Sequence, residues 1–109
     1  MPWLHDVSYF FGGAFLMNAV PHLVAGVMGE PFQSPFAKPR GKGLSSSTVN
    51  VLWSVLNLVV AYLLLCRVGD FDRRATGDVV ATALGLLVMG LMLARIFGRL
   101  HGGNAPGPS

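Results

Sequence analysis

Three long stretches almost free of charge dominate this sequence and restrict the solvents in which it can fold. The first, Val7 to Gly29, contains no Asp, Glu, Lys or Arg, and neither does the second, Leu44 to Cys66. The third, Ala75 to Ala94, is interrupted only by Asp78 near its start. The first two hold 23 residues each, and about 20 apolar residues in a helix cross a hydrocarbon core of roughly 30 Å. Each run suffices for one crossing. Across the chain 52% of residues are hydrophobic and 12% charged, about half the charge usual in a soluble globular domain. Too few charged side chains remain to coat such a surface against water. The expected fold is all-α, an integral membrane bundle of three transmembrane helices at about 7–29, 46–67 and 76–99. Residues 1–100 are expected to form a single domain, and the Gly/Pro-rich stretch 101–109 a disordered tail.

The segments between the runs set orientation and lipid contacts. The leader Met1-Pro2-Trp3-Leu4-His5-Asp6 carries no Lys or Arg, and its apolar run exceeds a signal-peptide core, so the first helix is expected to be retained. Trp3 and Tyr9 fit an interfacial aromatic belt. In the first connector Pro31, Pro35 and Pro39 recur every four residues, which excludes regular helix. Phe32 and Phe36 each follow a proline, and Lys38, Arg40 and Lys42 come after. Two readings stay open: a loop with phenylalanines dipped into the membrane and cations on anionic headgroups, or a plain solvated connector. Ser45, Ser46 or Ser47 is suited to cap the second helix, and Asp70 or Thr76 the third. Three basic residues lie in each connector, two (Arg95, Arg99) near the C-terminal end and none at the start. The positive-inside rule then favours an outside N-terminus and a cytoplasmic C-terminus, by 5 basic residues to 3. The formal charge of +3 is spread over these connectors without a basic stripe interleaved with aromatics, so headgroups rather than nucleic acid are the expected polyanionic partner.

Polar side chains inside a bilayer are costly, and their placement is the most informative feature of the runs. Ala14, Asn18, His22 and Gly26 recur every four residues and share one face of the first helix. Ser47, Asn50, Ser54, Asn57 and Ala61 line one face of the second. Counted inward from Gly29 and Leu44, His22 lies 7 residues deep and Asn50 6; Asn18 lies 11 deep, Ser54 10 and Asn57 13. At about 1.5 Å per residue these offsets are under one turn. The two helices are expected to pack through an internal polar seam of Asn18, His22, Asn50, Ser54 and Asn57. Pro21 cannot bond the carbonyl of Met17, which predicts a kink and a freed carbonyl seeking a partner on the second helix or a water. The seam has three readings: a structural lock, a small-molecule or cofactor pocket, and a transport path.

His22 carries intrinsic chemistry, as a haem ligand or a proton carrier. No second histidine or carboxylate accompanies it away from the helix ends, since Glu30 and Asp78 are both terminal. No cofactor is expected beyond the option of haem through His22, and no metal site. Cys66 is the sole cysteine, which excludes an internal disulfide. Nucleophile elbow, HExxH, phosphate loop and cysteine pair are all missing, so no catalytic residue is assigned. In the third helix Gly77, Ala81 and Gly85 form one ladder of small residues and Gly90, Ala94 and Gly98 another, offset by about 140°. Such ladders permit close approach of helices. One is expected to dock on the first two helices while the other meets a second copy or a larger membrane complex.

Asn18-Ala19-Val20-Pro21-His22, Pro31-Phe32-Gln33-Ser34-Pro35-Phe36 and Gly41-Lys42-Gly43-Leu44-Ser45-Ser46 together resemble small uncharacterised bacterial multi-span membrane proteins of no known activity. The resemblance implies residence in a bacterial cytoplasmic membrane and carries no functional residue with it. The expected function is that of a non-enzymatic oligomeric or accessory subunit acting through helix contacts. The rivals are a binding or transport module with its pocket at the seam, and a membrane enzyme on a lipid or quinone with His22 as base.

Overall fold

The computed structural model describes residues 2–103. The chain forms α1 (Pro2–Val27), a pair of two-residue strands, β1 (Phe32–Gln33) and β2 (Leu44–Ser45), then α2 (Ser47–Tyr62), a wider π-helical turn (Leu63–Val68) and α3 (Thr76–His101). All three spans are long and apolar enough to cross a membrane, and they pack as a bundle. The first helix starts five residues before the expected Val7 and stops two before Gly29. The third starts as expected and runs two residues past Arg99. His101, assigned to the tail from sequence, is therefore the last residue of α3, and residues 104–109 of that tail lie outside the described residues.

Local chemistry explains the ends. Gly29, with φ of 73°, closes α1 in a left-handed turn in which Gly29 N–H bonds the Gly26 carbonyl and Glu30 N–H the Ala25 carbonyl. Gly102, with φ of 74°, does the same for α3. Ser46 caps α2, its hydroxyl accepting from Val49 N–H at 3.2 Å. The start of α3 departs from expectation: Ala75 takes the cap position without a side-chain bond, and Asp72 and Asp78 serve the turn before it. Asp72 accepts from Arg74 N–H at 2.9 Å, and Asp78 from Asp72 N–H at 3.0 Å. Asp78 also lies in the first turn of α3, where the helix dipole favours an anion.

The core is inverted relative to a soluble protein. Asn50 and Ser54 are 0% exposed and Asn57 1%, whereas Leu52, Val55, Leu56 and Val59 on the same helix face outward. Lipid solvates the large apolar side chains, so the buried positions go to small alanines and to groups that need hydrogen-bond partners.

Helix α1 is the centre of the bundle, packed along both α2 and α3, while α2 and α3 scarcely touch each other. Glycines set both seams. A Cβ on Gly13 would overlap the Thr82 carbonyl, and one on Gly85 the Phe10 carbonyl, so α1 and α3 meet backbone to backbone. On the other flank a Cβ on Gly26 would press on Val51 at 2.5 Å and on the Ser47 carbonyl at 2.9 Å. Lower down, the Ser8 hydroxyl donates to the Leu64 carbonyl, which also accepts from Gly69 N–H at 3.2 Å in the π turn. Tyr9, expected at the interface, is 2% exposed instead: its hydroxyl accepts from Asp70 N–H at 2.9 Å and its ring packs on Phe71. Helix α1 passes through Pro21 without interruption. The α2 hydroxyl that reaches across belongs to Ser54 and goes to the carbonyl of Ala19, not that of Met17.

Candidate functional site

The seam forms between α1 and α2. Asn18 Nδ2 donates to Asn57 Oδ1 at 2.9 Å, and Asn57 Nδ2 turns back to the Trp53 carbonyl at 2.8 Å. Ser54 Oγ donates to the Ala19 carbonyl at 2.9 Å. Nearer the first connector, His22 Nδ1 meets Asn50 Oδ1 at 2.7 Å. Among the described residues no buried side-chain nitrogen or oxygen lacks a partner.

Asn50 organises this end of the bundle. The two protons on its Nδ2 are shared among three carbonyls, those of Phe32 at 3.2 Å, Ser45 at 3.2 Å and Ser46 at 3.0 Å. Carbonyls only accept, so the amide nitrogen must face them and Oδ1 must face the imidazole. His22 Nδ1–H is then the donor, and in the neutral ring Nε2 carries a free lone pair.

The first connector folds back over the end of the seam, with Lys38, Arg40 and Lys42 left exposed on it. β1 and β2 pair antiparallel, Phe32 opposite Ser45 and Gln33 opposite Leu44. Phe32 packs edge-on against Phe97 at 4.8 Å and His22 at 5.6 Å, and stacks on His101 at 5.5 Å. His101 Nε2 lies 2.9 Å from Gln33 Oε1, fastening the connector to the end of α3. Phe36 packs on Trp53 at 5.2 Å. The Phe32 carbonyl accepts from Asn50 at 3.2 Å, which ties the strand pair to α2.

Because α2 and α3 flank α1 without meeting, a cleft runs between them with α1 as its floor. At 100° per residue, Asn18 falls between the face of α1 that meets α3 (Phe10, Gly13, Met17) and the face that meets α2 (Ala19, His22, Gly26). At the connector end the cleft widens into a cavity of about 250 Å³ lined by Asn18, His22, Gln33, Ser34, Trp53 and Phe97. His22 is 3% exposed and bonds through Nδ1; since no buried side-chain nitrogen among the described residues lacks a partner, the unbonded Nε2 is the part of the ring left accessible. Half-buried Asn18 keeps Oδ1 available, and buried Gln33 keeps its amide nitrogen. The site thus offers two acceptors and a donor between aromatic walls.

The other sequence-assigned residues scatter. Lys38, Arg40 and Lys42 are exposed on the connector. Of the small-residue ladders, Gly85 packs on α1 and Gly90 meets the Met17 side chain at 3.5 Å, so each ladder gives one residue to the same interface. Ala81 and Gly98 are half-buried, Gly77 has no neighbour around its Cβ position, and exposed Ala94 borders both a hollow with Leu91 and Arg95 and one shared with Met17 and Pro21 of α1. Reasoning from sequence missed Gln33, Ser34, Trp53 and Phe97. The signal available for Trp53 was its place one residue before Ser54, beside the polar face. No protein-family model, curated protein or solved structure matches the chain.

Proposed function

We propose that this chain is a small non-enzymatic binding module of the bacterial cytoplasmic membrane, holding a lipophilic small molecule in the α2–α3 cleft against His22. The observation that carries the reading is the free Nε2 of a histidine 3% exposed, at the wall of a 250 Å³ cavity, with its other nitrogen pinned by Asn50. A purely structural lock needs Nδ1 alone. Ligand sites of membrane bundles combine apolar walls with a few convergent polar groups, and the Asn18, His22 and Gln33 set between Trp53 and Phe97 has that character. His22 is the only titratable side chain lining the cavity among the described residues, which disfavours acid–base turnover needing two such groups. Lys38, Arg40, Lys42, Arg95 and Arg99 gather at the connector end of the bundle, which supports a cytoplasmic C-terminus and an outside N-terminus.

Native mass spectrometry of the detergent-extracted chain tests the reading. The wild type is expected to retain a small-molecule adduct that His22→Asn loses, since the asparagine amide reproduces the Nδ1 donor but offers nothing in place of Nε2. Identical bare spectra for both would sink it. A second reading, an oligomeric or accessory subunit of a larger complex, is favoured by α3, whose Leu84, Leu87 and Leu91 all face outward. The same spectra report its stoichiometry.

A further inference from the structure

Resting on the binding reading, we infer that the ligand class is a hydroxylated aromatic ring on a lipid-soluble tail, a phenol or hydroquinone, which donates its O–H to His22 Nε2.

Hydrogen-bond polarity comes first. Asn50 gives its amide protons to the Phe32, Ser45 and Ser46 carbonyls, which leaves Oδ1 for the imidazole and makes Nε2 an acceptor. The complementary ligand group is a donor. Asn18 Oδ1 lines the same cavity and is a second acceptor, whereas the Gln33 amide nitrogen suits an ether or carbonyl oxygen on the same ring. An anionic phosphate or carboxylate would face two lone pairs here. The cations that suit such a group, Lys42 and Arg99, do not line this cavity but an adjoining one, which shares Gly41 and Ile96 with it.

Size and shape narrow the class further. A dry cavity of about 150 Å³ holds one benzene, so 250 Å³ accommodates one substituted ring. Trp53 and Phe97 stand on opposite sides of the cleft, from α2 and α3, and both approach His22 edge-on, with centroids 6.3 Å and 6.2 Å away. A planar ring between them gains the contacts aromatic pairs favour. Access decides the tail. The sparse packing of α2 against α3 leaves a cleft bordered by Leu93 and Ile96, both within the apolar span of α3. A ring arriving from the bilayer keeps an apolar tail in lipid while its hydroxyl reaches His22.

The probes are 4-octylphenol and its methyl ether, 4-octylanisole, which differ in the donor alone. The protein is the full chain in detergent with Trp3→Phe, so that Trp53 is the reporting fluorophore. The phenol is expected to shift Trp53 emission saturably, with the ether about tenfold weaker, the equivalent of one hydrogen bond. In His22→Asn the preference for the phenol disappears while thermal stability is kept. Should that variant fail to fold, Leu93→Phe serves instead: it narrows the cavity without touching the hydrogen-bonded seam, and both probes are then expected to lose their effect. Equal affinity for phenol and ether in the wild type overturns the ring-hydroxyl assignment and leaves the cleft as a binding site. If neither probe moves Trp53, but a phospholipid adduct depends on His22, the class is wrong and the binding reading stands. No His22-dependent occupant of any kind overturns both.

Discussion

Asn50 concentrates more of the fold than any other single side chain. It joins α1 through His22, the connector through Phe32, and the start of α2 through Ser45 and Ser46. Intramembrane hydrogen bonds contribute about 0.6 kcal/mol each on average, with the best near 1.7, and leaving a buried donor such as His22 Nδ1 unpaired adds a further penalty. Asn50→Leu is therefore expected to destabilise the folded bundle by about 2 kcal/mol. Asn57→Leu loses one bond between helices, the other being to Trp53 on its own helix, and should cost about 1 kcal/mol. Detergent denaturation followed by tryptophan fluorescence measures both, and a larger loss for Asn57 than for Asn50 would contradict this ranking. The participants were legible in the sequence because side-chain depth follows from counting along a helix. The depths of 7 and 6 for His22 and Asn50 correspond to an actual pair. Asn18, however, bonds Asn57, two residues away from level, and not Ser54. Which hydroxyl or amide wins among neighbours one turn apart depends on helix rotation, which counting does not contain.

Among the helices, α3 shows that a ladder of small residues is a pattern while a contact is a geometry. Gly85 meets the backbone of Phe10 and Gly13 meets that of Thr82, yet Gly77, first rung of the same ladder as Gly85, meets nothing. Gly85→Val is expected to force α1 and α3 apart at a cost of about 3 kcal/mol, since the obstacle is a carbonyl that cannot rotate away. Gly77→Ala should stabilise α3 by up to about 1 kcal/mol through helix propensity alone. Thermal unfolding in detergent separates the two variants, and equal effects would mean that the ladder acts as a unit. The signal missed in the sequence was Gly12-Gly13 in mid-helix: Gly13 faces the Thr82 carbonyl of α3, and Gly12 the Leu64 and Leu65 side chains of the π turn. The connector was less legible still. Its prolines ruled out helix, but the lid made by Phe32 and Gln33 depends on His101, 68 residues from Gln33, and on Asn50. No local composition encodes such long-range partners.

At the scale of the whole molecule, a three-span chain puts the connector of residues 28–46 and the end of α3 on one side of the membrane, and the π turn with residues 69–75 on the other. Lys38, Arg40, Lys42, Arg95 and Arg99 occupy the first side; Arg67, Arg73 and Arg74 share the second with Asp70, Asp72 and Asp78. Acidic residues contribute little to insertion, so the bias is set by 5 basic residues against 3. That margin is small enough to be reversed by design, which makes orientation testable in both directions. Cys66, exposed in the π turn and the sole cysteine, is a ready reporter. With the N-terminus outside, a membrane-impermeant maleimide should label Cys66 in intact spheroplasts, and Ala37→Cys in a Cys66→Ser background only after permeabilisation. Neutralising Lys38, Arg40 and Lys42 together to Gln leaves 2 basic residues against 3, and the two labelling patterns should exchange in part. Labelling of Ala37→Cys in intact cells, with Cys66 protected, would place the C-terminus outside and the cleft's cavity toward the external face.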